Sequence, residues 1–244
     1  MKNALVVGGA NGIGLSIATQ LAERDDVGKI YIVDKSNIPV EYVHPKFVYE
    51  QFDLTQVDYS LFSKFEDIQI LMITAGFGRL SLFKDISDKY IVDSFNVNTI
   101  PVLRLIKHFY SKISSTEDFF TGVMVSIAGF MSSPFFSVYG ASKAALKIFI
   151  ESVNVELEKS GTTNRILNVS PGSIKGTSFN SEKTDLSQTE HLTCEILEHL
   201  FKKDDLYIPS YNEIFKNVLE RYHEDFRAEG LHSYEFKLNS GRIH

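Results

Sequence analysis

Short apolar segments alternate with longer segments of helical periodicity from residue 4 to about residue 170. Several of the short segments are apolar throughout, which is typical of strands buried on both faces of a parallel sheet. The predicted strands are Ala4–Val7, Lys29–Val33, Phe47–Phe52, Ile70–Thr74, Val123–Ser126 and Ile166–Val169. This alternation predicts a single-domain α/β fold, a doubly wound Rossmann-type sheet that is mostly parallel, with helices on both faces.

Length, charge and cysteine content exclude several classes of protein. A chain of 244 residues favours one domain over residues 1–244, and the 25 Lys and Arg against 31 Asp and Glu leave a net charge of −6, which argues against a nucleic-acid partner. The single cysteine, Cys194, excludes an internal disulfide and a cysteine-rich metal site, and His191 and His199 lack the carboxylates that would complete a metal shell. Apolar stretches such as Ile70–Ile73 are far shorter than the ~20 residues of a membrane span. We therefore expect a soluble, cytoplasmic protein without a metal or a membrane partner.

A glycine-rich loop follows the first predicted strand directly. It contains Gly8, Asn11, Gly12, Ile13 and Gly14 and leads into a predicted helix. Glycines let a backbone turn sharply and approach a pyrophosphate, and the free N–H groups at a helix N-terminus attract the anion. The loop therefore predicts dinucleotide binding, although a glycine-rich turn without a ligand is the alternative for the loop taken alone.

Asp34 ends the second predicted strand, twenty residues after Gly14. An acidic side chain at this distance accepts hydrogen bonds from the adenosine ribose hydroxyls and repels a 2′-phosphate. The loop carries no Arg or Lys that would offset this charge, with Lys35 the nearest basic residue. The sequence thus predicts NAD as the cofactor, in preference to NADP.

Tyr139 and Lys143 are spaced to share one face of a predicted helix. A Lys charge about 5 Å away is worth roughly 3 kcal/mol at an effective dielectric constant of ~20, which predicts a Tyr pKa lowered by about two units, into the range of general acid–base catalysis. The same spacing recurs at Tyr31–Lys35 and Tyr42–Lys46, so spacing alone means little. Ser126, thirteen residues before Tyr139 at a predicted strand end, singles out this pair. Its hydroxyl either holds a substrate oxygen or simply caps the strand.

These motifs together resemble the short-form branch of the short-chain dehydrogenase/reductase family, enzymes that pass hydride between NAD(P) and an alcohol or carbonyl. The matching pieces are Gly8–Gly14, Asp34, Asp53-Leu54, Thr74-Ala75-Gly76, Asn98, Ser126–Gly129, Tyr139–Lys143 and Pro171-Gly172. They occur in the family's order over residues 4 to about 178. The resemblance implies an NAD-dependent alcohol dehydrogenase or ketone reductase.

The resemblance also implies a role for each catalytic residue. Tyr139 would be the acid/base, Lys143 would lower its pKa and hold the nicotinamide ribose, and Ser126 would orient the substrate oxygen. Asn98 would anchor a water that relays protons from Lys143. Pro101, three residues further on, is expected to bend the predicted helix of residues 90–113 and open room for that water.

The implied cofactor site extends over several loops. Asp53 would bind the adenine amino group with Leu54 beside the ring, and the segment from Pro171 to Ile174 would pass along the nicotinamide amide. The full implied set is Gly8, Asn11, Gly12, Ile13, Gly14, Asp34, Asp53, Leu54, Thr74, Ala75, Gly76, Tyr139, Lys143, Pro171, Gly172, Ile174 and Thr177.

The chain departs from the family pattern at both ends. Val7 stands where the family usually has Thr, and Thr74 where it usually has Asn. These neighbouring elements normally hydrogen-bond to each other, so Val7 puts this bracing in doubt. The usual Asp-Gly-Gly near the C-terminus is missing, and the alternating Tyr234–Leu238 is expected to form a seventh strand.

The substrate is expected to be a small alcohol or ketone held in an apolar pocket. The resemblance assigns this pocket to residues 129–131, 134–136 and 178 to about 200, with Phe77 and Gly78 nearby, and residues 178–230 to a helical lid region. The polar stretch Ser181–Thr189 is expected to close over bound cofactor. Apolar faces on the helices near 90–113 and 139–160 predict a homodimer or homotetramer.

Two alternatives remain open at this stage. A non-catalytic regulator of the same fold would sense NAD(P) but need not keep Ser126, Tyr139 and Lys143 together. A nucleotide-sugar epimerase or dehydratase would have a different glycine spacing and a larger C-terminal domain.

Overall fold

Seven strands form one sheet in the computed structural model, which describes residues 1–177, 179 and 184–239. The strands are β1 (Lys2–Val7), β2 (Val27–Asp34), β3 (Phe47–Gln51), β4 (Ile70–Ile73), β5 (Phe120–Met124), β6 (Ile166–Val169) and β7 (Leu206–Tyr207). Their order across the sheet is β3-β2-β1-β4-β5-β6-β7, and every pairing is parallel. The prediction of a Rossmann-type parallel sheet is confirmed.

Eight α-helices cover the sheet or extend from it in the described part of the chain. They are α1 (Gly12–Ala22), α2 (Asp88–Asn98), α3 (Ile100–His108), α4 (Tyr110–Ile113), α5 (Ser137–Ser160), α6 (Glu190–Lys202), α7 (Lys216–Glu224) and α8 (Phe226–Asn239). No helix of this part combines the length and the apolar character that crossing a bilayer requires.

Both faces of the central strands are buried. Alternate residues of β1 divide between two cores, with Leu5 and Val7 in one and Ala4 and Val6 in the other. Helices α3 and α5 pack on the first face and helices α1 and α6 on the second. Each buried aliphatic side chain contributes roughly 1.5–3 kcal/mol, and this two-sided burial is why the strands are apolar throughout.

The strand order reverses between β1 and β4. Ala4 of β1 lies opposite Ile30 of β2 on one side and opposite Ile70 of β4 on the other. Loops that leave the carboxyl ends of two such strands diverge and create a crevice between them. The segments after Val7 and Ile73 therefore define the place where a ligand can bind.

The C-terminal prediction is wrong. Residues Tyr234–Leu238 lie within helix α8, and the seventh strand is the two-residue β7 at Leu206–Tyr207. Five alternating residues fit a short strand and a helix face almost equally well, so tertiary packing decides between them.

The prediction of one bent helix over residues 90–113 also needs correction. The helix breaks after Asn98, and a new helix begins at Ile100. Pro101 has no N–H with which to continue the hydrogen-bond ladder of α2, while Leu103 donates to the carbonyl of Thr99 and restarts it. Asn98 is therefore the last residue of α2 and faces the site described next.

Candidate active site

The glycine-rich loop joins β1 to α1 at the strand-order reversal. Gly8 has a φ of +84°, and a Cβ built on it would lie 2.4 Å from the backbone nitrogen of Ala75. A Cβ on Gly14 would lie 2.1 Å from the carbonyl oxygen of Gly8. The two glycines therefore let the loop close tightly against the segment after β4. The N-terminus of α1, with its positive end of the helix dipole, opens beside this loop.

Thr74 supplies the bracing that Val7 puts in doubt. The backbone N–H groups of Thr74 and Ala75 donate to the Val7 carbonyl at 2.8 and 3.1 Å. The Thr74 hydroxyl donates to the Gly8 carbonyl at 3.0 Å. A hydroxyl just after β4 thus replaces the one missing from β1, and the glycine-rich loop remains tied to its neighbour.

Asp34 also contributes to the shape of this loop. One of its carboxylate oxygens accepts from the Ala10 N–H at 3.0 Å, and the other accepts from the Ser36 N–H at 3.0 Å. Asp34 is half-buried at the end of β2, so its negative charge stays at the edge where the sequence predicts the adenosine ribose. The side chain therefore holds the loop in addition to its predicted role in ribose binding.

Asp53 and Leu54 lie just beyond the end of β3. One Asp53 oxygen accepts from the Thr55 N–H at 2.9 Å and from the Thr55 hydroxyl at 2.8 Å. These hydrogen bonds lower the pKa of Asp53, and nearby Lys35 adds to the shift. Leu54 packs against the core.

Ser126, Tyr139 and Lys143 come together as the sequence predicts. Ser126 follows β5, and its Oγ accepts from the Ala128 N–H at 3.1 Å, so it caps the short turn Ile127–Gly129. The same side chain lies close enough to the Tyr139 hydroxyl to lower the pKa of Tyr139. The capping interpretation of Ser126 is thus observed, and its role in orienting a substrate oxygen stays a prediction. Lys143 lies one helical turn beyond Tyr139, with its Nζ 5.8 Å from the ring centroid.

The prediction of a lowered Tyr139 pKa is wrong for the protein's own residues. Tyr139 is 8% exposed, and burial raises its pKa to about 12. Nearby Ser126 offsets part of this rise, and Tyr90 adds to it. Burial lowers the pKa of Lys143 to about 7, and its Nζ donates to the Met124 carbonyl at 2.8 Å. Attraction between the charged forms of the two groups would lower the Tyr139 pKa, but the cost of removing both groups from water is larger.

Asn98 connects three parts of the site. Its Oδ1 accepts from the Phe77 N–H at 2.9 Å, and its Nδ2 donates to the Phe77 carbonyl at 2.9 Å and to Ser142 Oγ at 3.1 Å. The side chain is fully buried and ties the segment after β4 to α2 and α5. A Cβ on Gly76 would lie 3.3 Å from both Asn98 Oδ1 and Lys143 Nζ, so the two side chains meet near Gly76. The water-anchoring role of Asn98 stays a prediction.

The segment after β6 reaches both ends of the crevice. The Pro171 carbonyl accepts from the Ile127 N–H at 3.1 Å and lies 3.5 Å from Ser126 Oγ. Further along, Thr177 Oγ1 donates to the Ile174 carbonyl at 3.0 Å, and the Thr177 side chain approaches Gly12. Of the predicted lid stretch, residues 181–183 lie outside the described residues, whereas the Thr184 hydroxyl accepts from the Gly12 N–H at 3.3 Å.

An aromatic surface adjoins Tyr139 on the substrate side. The rings of Phe136 and Phe179 each have their centroid 5.3 Å from that of Tyr139. Of the other predicted pocket residues, Phe130 faces Lys147, and Phe135 packs on Tyr234 of α8. Only part of the predicted apolar set therefore lines this side of the site.

Tyr90 is a residue of this site that the sequence analysis missed. It lies on α2, its hydroxyl accepts from the Arg79 N–H at 2.9 Å, and its ring meets Phe77 edge-on at 5.7 Å. Tyr90 precedes Asn98 by eight residues, about two helical turns, and this spacing is the signal that would have placed both side chains on the same face of α2.

A cavity separate from the crevice at Tyr139 lies beside α6 and β7. It has a volume of about 590 Å³ and is lined by residues that include Phe130, Glu195, His199, Tyr207 and Tyr211. His199 Nδ1 lies 2.6 Å from Asp204 Oδ2. Over the described ranges, no three His, Cys, Asp or Glu side chains are grouped so that they could hold a metal ion.

Comparison with known proteins identifies the family. A profile of the short chain dehydrogenase family matches residues 2–187, and the chain belongs to this family of oxidoreductases. The chain is 30% identical over 175 residues to the 2,3-dihydro-2,3-dihydroxybenzoate dehydrogenase of Escherichia coli, covering 70% of this chain and 69% of that protein. It is 28% identical over 193 residues to an uncharacterized oxidoreductase of Saccharomyces cerevisiae, covering 72% of this chain and 61% of the yeast protein. The match thus spans less than two thirds of the yeast relative.

Solved structures share the fold at low sequence identity. A short-chain dehydrogenase/reductase of Burkholderia phymatum, in complex with NAD, superposes with a TM-score of 0.79 at 16% identity, covering 93% of this chain and 95% of that one. A short chain dehydrogenase of Burkholderia cenocepacia, in complex with NADP, has a TM-score of 0.77 at 21% identity, covering 96% and 99%. NAD is bound in one neighbour and NADP in the other.

Proposed function

We propose that the protein is an NAD-dependent oxidoreductase that interconverts an alcohol and a ketone, with Tyr139 as the acid/base. The observation that carries this proposal is the grouping of Ser126, Tyr139 and Lys143 at the sheet edge that also holds the glycine-rich loop. Ser126 lies close enough to Tyr139 to lower its pKa, and Lys143 Nζ lies 5.8 Å from the Tyr139 ring centroid. A regulator without chemistry has no need of these three side chains together.

The glycine-rich loop would hold the pyrophosphate of the dinucleotide. A Cβ at Gly8 or Gly14 would collide with neighbouring backbone, which supports a tight turn that leads into the N-terminus of α1, where free N–H groups attract an anion. Asp34 would hold the adenosine ribose, and Asp53 with Leu54 would flank the adenine. The segment from Pro171 to Ile174 would line the nicotinamide end, where the bound ring would accept or supply hydride.

Asp34 supports the preference for NAD. Its carboxylate stays half-exposed at the end of β2, where it would accept from both ribose hydroxyls and repel a 2′-phosphate. The loop from Gly8 to Gly14 contains no basic side chain.

The proton chemistry follows from the buried phenol. A Tyr139 pKa of about 12 keeps the phenol protonated at neutral pH, ready to donate its proton to the substrate oxygen during ketone reduction. Ser126 would orient that oxygen. In the reverse direction Tyr139 must first lose its proton, and the ammonium form of Lys143 would stabilise the phenolate. We further propose that Asn98 anchors a water through which Lys143 exchanges protons with solvent.

One catalytic domain is proposed for the whole chain, with residues 178–230 on its substrate side. Phe179, beside Tyr139, supports this arrangement. A homodimer or homotetramer is also proposed, because Val92 of α2 and Ile148 and Val155 of α5 are apolar yet exposed.

A substrate screen tests the proposal. Purified protein is incubated with secondary alcohols and NAD, and with ketones and NADH, and NADH absorbance is followed. NADP and NADPH are run in parallel. Turnover of at least one pair with NAD is expected. A protein that binds NAD but turns over no member of a broad panel would instead be the non-catalytic regulator.

A further inference from the structure

The turn that precedes helix α5 contains a backbone conformation that needs external support. Phe135 has a φ of +67°, in the left-handed region that a bulky side chain rarely adopts. The residue is only 4% exposed, and its carbonyl accepts from the Ser81 N–H at 2.9 Å. A strained, buried residue of this kind persists only where its surroundings hold it.

Helix α8 provides that support. The Tyr234 ring lies 4.6 Å from the Phe135 ring, centroid to centroid, within the range of attractive aromatic contacts. Lys237 Nζ donates to Ser133 Oγ at 2.7 Å and to the Pro134 carbonyl at 2.8 Å. Tyr234 and Lys237 are three residues apart and share one helix face, so α8 grips the turn through an aromatic ring and an ammonium group.

The turn leads directly to the aromatic surface of the candidate active site. The Phe136 N–H donates to the Ser133 carbonyl at 2.9 Å, and the Phe136 carbonyl accepts from the Gly140 N–H at 2.6 Å. The Phe136 ring lies 5.3 Å from that of Tyr139, and Lys237 Nζ lies 5.5 Å from its centroid. The position of Phe136 against Tyr139 therefore depends on how the turn is held.

We propose that Tyr234 and Lys237 are positioning residues of the substrate site. They hold Phe135 in its left-handed conformation and thereby fix the Phe136 ring as an apolar wall beside Tyr139. Neither residue touches the reacting atoms. This inference rests on the proposed function. It gives α8, the helix found where the sequence predicts a strand, a role in binding an apolar substituent of the substrate.

Amide hydrogen exchange tests the positioning independently of activity. In Tyr234→Ala and Lys237→Met, exchange in peptides covering residues 131–139 is expected to become about tenfold faster, with no change in peptides covering the glycine-rich loop. Phe236→Ala is the matched control, because it removes an aromatic ring from the same helix at a position that is 66% exposed. Tyr234→Phe keeps the ring and is expected to restore wild-type exchange.

A second experiment uses a Phe135→Gly background. There Tyr234→Ala is expected to cause no further increase in the exchange rate, since glycine adopts the left-handed conformation freely and the ring contact is gone.

Kinetics on a ketone that the wild-type protein reduces supply the second readout. Tyr234→Ala is expected to raise KM for the ketone about tenfold while kcat changes by less than about threefold and the Kd of NADH stays constant. Tyr234→Phe is expected to restore KM. Wild-type exchange in Tyr234→Ala, or a KM equal to that of Phe236→Ala, would overturn the inference. If Tyr234→Ala exchanges faster but the wild-type protein reduces no ketone, the positioning role stands and only the proposed function is contradicted.

Discussion

Lys143 Nζ lies 5.8 Å from the centroid of the Tyr139 ring, and both side chains are buried. Burial lowers the pKa of Lys143 to about 7 and raises that of Tyr139 to about 12. Each side chain is therefore driven toward its neutral form, and the phenol stays protonated at neutral pH.

The buried lysine makes stability depend on pH. Its pKa falls from an ordinary value of 10.5 to about 7 on folding, so between these values the unfolded chain binds the proton that the folded chain has lost. The free energy of unfolding should therefore rise with pH, by up to about 1.4 kcal/mol per unit from this group. Urea denaturation of the cofactor-free protein at pH 7.5, 8.5 and 9.5 measures the slope. Lys143→Met should flatten it, and an equal slope in the variant would contradict the assignment.

Thr74 should matter for cofactor binding although it is not expected to be a catalytic residue. Thr74→Val removes the hydroxyl that donates to the Gly8 carbonyl and loosens the glycine-rich loop. The loss of one such hydrogen bond, about 1 kcal/mol, corresponds to a Kd for NADH about fivefold higher. Fluorescence titration measures the Kd, and Thr74→Ser, which keeps the hydroxyl, should bind as the wild type does. Equal affinities for the Val and Ser variants would refute the bracing role.

The charge of Asp34 can be removed while one of its two backbone hydrogen bonds, the one from Ala10, is kept. Asp34→Asn keeps an oxygen that accepts from the Ala10 N–H but removes the negative charge. We expect the Kd of NADP to fall about tenfold, because the repulsion of the 2′-phosphate is lost, while the Kd of NAD rises, because the amide has one acceptor oxygen where the carboxylate has two. Titration of both cofactors against both proteins provides the measurement. NADP binding more tightly than NAD in the wild type would show the proposed preference to be wrong.

Assembly should depend on the exposed face of α5. Val155 is 70% exposed, and Val155→Glu places a charge where the proposed subunit contact would bury it. Light scattering should give a multiple of 27.6 kDa for the wild type and a smaller mass for the variant. Val40→Glu, at an 88% exposed position between β2 and β3, is the control and should assemble normally. A monomeric wild type would end the proposal.

The sequence predicts the central sheet well because its signal is strong there. In β1, Leu5 and Val6 are both apolar, which requires two covered faces and hence helices on each side. The grouping of Ser126, Tyr139 and Lys143 is predictable for a related reason, since strand ends and helix starts meet at one edge of such a sheet.

Other features depend on packing that no local pattern encodes. Residues Tyr234–Leu238 alternate like a strand, yet Tyr234 and Lys237 share a helix face and hold the turn at Phe135. The direction of the Tyr139 pKa shift depends on burial, which the spacing of Tyr and Lys does not report.

The role of Tyr139 is tested most directly by the steady-state kinetics of Tyr139→Phe on the best substrate pair from the screen. The variant lacks the proton that the phenol would donate, so kcat should fall by about 10²- to 10⁴-fold while the Kd of NADH stays unchanged. Tyr42→Phe is the matched control, because Tyr42 has the same spacing to Lys46 but lies outside the site, and it should retain full activity. A kcat for Tyr139→Phe within twofold of the wild type would contradict the account.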